Sequence, residues 1–214
     1  MLIQGQVGAP SSQASIPPGT TPPIRQGQLG DLIVSELHGR YYETNYRQAV
    51  FSTFINALTL ASTHATPLAA GTGTPIIGVY NPIGSGKNIS IIRVQQATTS
   101  GTPAGPLLWN LVPNPQNITA ATNATAYNMA TLAQTGSIAK VWNNTAVTGS
   151  TAGTAFRNVG GMPAVAATGN VLAYAEEYAG TLIVPPGSMI ALVCTGAGTT
   201  HVISCYLEWE EIPV

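Results

Sequence analysis

The stretch His201-Val-Ile-Ser-Cys-Tyr-Leu-Glu-Trp-Glu210 carries Ile203, Cys205, Leu207 and Trp209 at odd positions and Ser204, Tyr206, Glu208 and Glu210 at even ones. A period of two with one apolar side is a strand with one face in a core and the other in water. Working outward, residues 171–178, 181–184 and 188–194 read as further strands, with Pro185-Pro-Gly187 as a corner and the glycine-rich residues 195–200 as a hairpin turn. Residues 50–61, 75–80, 89–95, 107–112 and 137–142 are short runs of β-forming residues between turn signals. Ile91 and Ile92 are adjacent, which predicts burial of both faces there or a bulge. Only residues 124–134 are fit for a short helix, and the rest of 114–170 reads as long loops between short strands. The expected fold is all-β, a β-sandwich or jelly roll over 31–214 with Greek-key connections.

Residues 1–30 differ in kind. The run Gly8-Ala-Pro-Ser-Ser-Gln-Ala-Ser-Ile-Pro-Pro-Gly-Thr-Thr-Pro-Pro-Ile24 has no charge and repeated prolines, which remove backbone donors and favour extended PPII geometry. This is an extended Pro-rich N-terminal arm ahead of the β domain. It is either a tail or an ordered arm lying on another subunit, anchored by Leu2, Ile3, Val7, Ile16 and Ile24. Arg40-Tyr-Tyr-Glu-Thr-Asn-Tyr-Arg47 follows, dense in residue types enriched at protein interfaces. Arg40, Tyr41, Tyr42, Tyr46 and Arg47 are therefore interface candidates, or else aromatic rings on the sandwich rim.

Charged residues make up 7 % of the chain and the formal net charge is −1, against roughly 25 % charged in an average soluble domain. No basic patch for nucleic acid is expected. A surface so poor in charge suggests cover by neighbouring subunits. No stretch approaches the roughly 20 apolar residues of a membrane span, and residues 1–30 lack the charged start and apolar run of a secretion signal. Neither a membrane nor secretion is expected.

Chemistry-bearing motifs are sparse. Gly84-Ser-Gly-Lys87 departs from a phosphate loop: Asn81 stands where the first glycine belongs, Asn88 follows the lysine, and a strand replaces the helix. The acidic residues Glu176, Glu177, Glu208, Glu210 and Glu211 are the one carboxylate concentration. Alternation puts Glu208 and Glu210 on the wet face, free in water or paired with arginine of a neighbouring subunit. His38, His64 and His201 lack metal-ligand spacing. Cys194 and Cys205 flank the glycine-rich turn on strands expected to pair, so they are two core thiols or a cross-strand disulfide. Neither an enzyme, a metal site nor a cofactor is expected.

Four segments together resemble virion structural proteins of tailed bacteriophages. They are the uncharged arm before Gln28-Leu-Gly-Asp31, and Gly78-Val-Tyr-Asn-Pro-Ile-Gly-Ser-Gly-Lys-Asn88 leading into an apolar strand. Then come Leu182-Ile-Val-Pro-Pro-Gly187 followed by Met189-Ile-Ala-Leu192, and the closing Glu208-Trp-Glu-Glu211. The resemblance implies a jelly-roll capsid decoration (cement) or head-fibre-like protein, a homotrimer without catalytic residues. Its partners would be the major capsid protein or other virion proteins, and its place the virion, assembled in the host cytoplasm. The competing expectation is a receptor- or glycan-binding module of a phage head or tail fibre, with Trp109, Trp142, Tyr41, Tyr42 and Tyr46 as aromatic platforms.

Overall fold

A computed structural model describes residues 5–6, 24–25, 39–60, 72–100, 105–113, 124–134, 136–144, 147–148, 153–162, 172–194 and 202–214. The chain divides into two compact units, Met1–Glu43 and Thr44–Val214. In the first, β1 (Gly5–Gln6) and β2 (Ile24–Arg25) pair in parallel, with Gly5 opposite Ile24. The rest of the expected arm lies outside the described residues. One helical turn, α1 (Tyr42–Tyr46), buries no residue.

The second unit is an antiparallel β-sandwich. Its strands are β3 (Val50–Thr59), β4 (Thr72–Gly73), β5 (Ile77–Tyr80), β6 (Lys87–Ser100), β7 (Gly105–Pro113), β8 (Tyr127–Asn128), β9 (Lys140–Asn143), β10 (Val147–Thr148), β11 (Thr154–Met162), β12 (Leu172–Glu177), β13 (Ile183–Val184), β14 (Ser188–Cys194) and β15 (Val202–Pro213). One sheet runs β11-β7-β14-β5-β9. The other runs β12-β6-β15-β3-β8, with β13 also on β6. Taken in chain order, the main strands β3, β5, β6, β7, β11, β12, β14 and β15 change sheet at every step except β7 to β11. That alternation is the double Greek key of a jelly roll.

The core lies between the sheets. Ile203, Cys205, Leu207 and Trp209 of β15 face Leu107, Trp109, Ile190 and Leu192 of the other sheet within one buried cluster. Burial of each large apolar side chain contributes roughly 1.5–3 kcal/mol. Trp209 stacks on Phe51, ring centroids 6.2 Å apart. Ile91 and Ile92 are both buried. Glu208 pairs with Arg93 but Trp209 pairs with Ile91, so Ile92 is the extra residue of a bulge. A second apolar cluster, including Tyr80, Val112, Trp142, Met189 and Ala191, lies on the other side of the five-stranded sheet together with Val147 of β10. β14 is accordingly buried on both faces.

Polar ties hold the ends. The Asn81 amide donates to Lys87 O and Val184 O, linking the turn before β6 to the Pro-Pro-Gly corner. Gly84 and Gly86 have φ of 75° and 66°, the turn geometry that glycine supplies, so Gly84-Ser-Gly-Lys87 is an inter-strand turn. Glu211 is buried. Its carboxylate accepts from Ser137 Oγ at 2.7 Å and Ile138 N at 2.9 Å, and pairs with Lys87 Nζ at 3.0 Å. At the far edge, Arg157 of β11 pairs with Glu176 of β12, joining the two sheets. Glu176 also accepts from Tyr178 Oη, which in turn accepts from Trp109 Nε1.

Several expectations are corrected. The strands bearing Cys194 and Cys205 do not pair: β14 belongs to one sheet and β15 to the other, because a jelly roll crosses over at that point. The cysteines form no disulfide. Residues 124–134 hold β8 and a turn, not a helix. The Asn128 carboxamide accepts from Ala130 N and Thr131 N, and this competes with helical hydrogen bonding. Residues 154–162, expected as loop, form β11. Glu208 points outward but is only 6 % exposed, and it pairs with Arg93 of its own chain at 2.6 Å. Glu211 is buried as well.

Candidate functional site

The two outer faces of the sandwich differ. The five-stranded sheet carries the second apolar cluster on its outer side, whereas the six-stranded sheet leaves large apolar side chains exposed. Registry lines up its outward residues. Phe54 of β3 lies opposite Tyr206 of β15, Tyr206 opposite Gln95 of β6, and Gln95 opposite Ala175 of β12. One step along, Ser204 lies opposite Ala97, and Ala97 opposite Ala173. The first row is tall at three positions and the second is small throughout. The outcome is an open groove of about 340 Å³ with a small-residue floor and a Phe54–Tyr206–Gln95 wall.

Local structure fixes the wall and floor. β3 inserts an extra residue between the Ile203–Leu58 and Cys205–Ile55 pairs, and Ala57 there has φ of 48°. Ser204 Oγ accepts from Ala57 N at 3.0 Å and donates to Asn56 Oδ1 at 3.0 Å, which pins the bulge at the mouth of the groove. Phe54 is 53 % exposed. The Tyr206 hydroxyl reaches Met129 Sδ at 3.9 Å. Burial, helped by the nearby Glu208 charge, pushes the Tyr206 phenol up to about 12, so it stays a neutral donor at physiological pH. The exposed Tyr127 lies beside Ser52 on the same face, and Ile183 and Ile212 are exposed on strands toward the other end. The nearest charges stand in the next row, where Glu208 and Glu177 flank Arg93, and Glu210 lies further along β15 on the same face.

The expected interface residues fall as follows. Leu2, Ile3 and Ile16 lie outside the described residues. Ile24 is in β2, and its side chain is outside them. In the first unit, the Arg40 guanidinium carbon lies 5.4 Å from the Tyr41 ring centroid, and Tyr42 is exposed. In the second, Tyr46 is 72 % exposed and Arg47 is exposed. The proposed tryptophan platforms are overturned: Trp109 is fully buried under Tyr178, and Trp142 packs edge-on against Tyr80 at 3 % exposure.

Sequence reading missed the groove. Its signal was an aromatic residue at a polar-parity position in two strands, Phe54 between Ser52 and Asn56, and Tyr206 between Ser204 and Glu208. Only pairing registry shows that they are neighbours. Among the described residues no group of three or more His, Cys, Asp or Glu converges as a metal would require. No helix there is long and apolar enough to cross a membrane. Chemically, the face offers apolar contact, a phenol, an amide and little charge.

Fold and face together define an antiparallel jelly-roll β-sandwich with one open, charge-poor sheet face. No protein-family model matches the chain, and no curated protein matches it.

Proposed function

We propose that the protein is a virion structural protein of the capsid decoration (cement) type. It would stabilise a phage head as a homo-oligomer, a trimer in the arrangement the resemblance implies, bound to the major capsid protein or other virion proteins. The fold alone does not choose, since jelly rolls build both viral capsid and lectin domains. One observation carries the reading: the six-stranded sheet presents Phe54, Tyr127, Ile183 and Ile212 exposed on one side of a chain with 7 % charged residues. Exposed apolar patches of that kind mark association surfaces. The burial of Trp109 and Trp142 removes two of the platforms that a glycan-binding module would have used.

The test is co-sedimentation of purified protein with capsids stripped of their accessory proteins, run beside a glycan array and a host-cell binding assay. Capsid binding is the expected result. Retention on glycans or cells with no capsid binding would overturn the decoration reading in favour of a fibre module.

A further inference from the structure

The floor of the groove is made of Ser204, Ala97 and Ala173, running across β15, β6 and β12, with Phe54 and Tyr206 standing on one side. A trough of small residues walled by aromatic rings, with the Gln95 amide beside it as a donor, is the chemistry that takes a PPII segment. Such a segment is stiff before it binds, so little entropy is lost.

The chain itself contains such a ligand. Pro17-Pro-Gly-Thr-Thr-Pro-Pro-Ile-Arg25 is proline-rich, has no charge before its end, and closes on an arginine. Crossing the four strands from β3 to β12, at about 4.8 Å spacing, takes about 14 Å. About five PPII residues at roughly 3.1 Å each cover that distance. Residues 19–23 supply five, ending just before β2. The trough ends at Ala173 and Ala175, and the next outward residue on that strand is Glu177. Glu177 is exposed and forms no ion pair among the described residues. Arg25 follows the last proline pair by two positions and supplies the matching charge.

We propose that this trough receives residues 17–23 of a second copy of the chain, laid across β3, β15, β6 and β12, with Arg25 of β2 just beyond it meeting Glu177. The contact is head-to-tail, because one copy gives the segment and the other the trough. It makes no reference to a capsid, so self-association of the purified chain and capsid co-sedimentation can fail separately.

Analytical ultracentrifugation of the full chain over a concentration series tests it. The wild-type chain should self-associate. Ala97→Arg fills the trough, and Pro22→Gly with Pro23→Gly loosens the segment; each should weaken association by about tenfold or more. An equimolar mixture of those two variants should recover a heterodimer, since one offers an intact segment and the other an intact trough. Glu177→Arg should weaken association, and Arg25→Glu in the same chain should restore it. The proline variants fall outside the unit that holds the sandwich, so they decide the matter even if Ala97→Arg lowers stability. A wild-type chain that stays monomeric at every concentration, association unchanged in the proline variants, or a mixture without heterodimer would each overturn the proposal.

Discussion

Trp209 is the largest side chain that β15 contributes to the core. It lies on the inward side of β15, fully buried, stacked on Phe51. Trp209→Ala should cost roughly 3–5 kcal/mol, since truncating a buried aromatic loses transfer energy and leaves a cavity. A thermal melt unchanged from wild type would contradict that placement. The thiols give a second residue-scale test. Burial pushes Cys205 from 9.0 up to about 12 and Cys194 up to about 11. Both are therefore protonated and unreactive at neutral pH. A folded pKa raised above the unfolded value contributes stability that is complete below about pH 9 and declines as pH climbs toward the folded value. The melting temperature should hold steady up to about pH 9 and fall beyond it, and Cys205→Ala should make the alkaline fall shallower. An equally steep fall in that variant would assign the effect to other groups.

At the scale of elements, stability follows burial. β14 is buried on both faces and paired on both edges, by β7 and β5, and β15 lies between β6 and β3. β11 is an edge strand, exposed from Thr154 to Asn158 and bulged at two places in its pairing with β7. Native-state hydrogen exchange should find the amides of β14 and β15 opening only with global unfolding, and those of β11 opening more readily. Equal protection of the three would refute this order. The same contrast explains which strands could be read in advance. β15 alternates because one face is wet. β11 has only Val159 buried among residues 154–159, so its pattern carries no period, and Gly160 and Gly161 imitate a loop.

For the whole molecule, scarcity of charge governs association. Three of the seven Lys and Arg residues, Lys87, Arg93 and Arg157, are already paired with Glu211, Glu208 and Glu176 of the same chain. Lattice attachment should change little between low and high salt, because few exposed charges remain to be screened. A steep decline with added salt would mean that charge steers the encounter. Removing residues 1–30 should leave the sandwich melting within a few degrees of wild type, since the core cluster begins at Phe51. The same deletion should abolish head-to-tail pairing.

The all-β class, most strand positions, the inward side of β15 and the turn at Gly84–Lys87 are legible in the order of residues alone. These are local properties: periodicity, β-branching, and the positive φ that glycine supplies. Tertiary structure decided the rest. The switch of sheet between Cys194 and Cys205 is invisible locally, because a glycine-rich connection looks the same whether it turns a hairpin or crosses a sandwich. The burial of Trp109 and Trp142 depended on what packs over each side of a sheet that is covered on both. The groove depended on registry: Phe54, Tyr206 and Gln95 are far apart in sequence and become one wall only when β3, β15 and β6 pair.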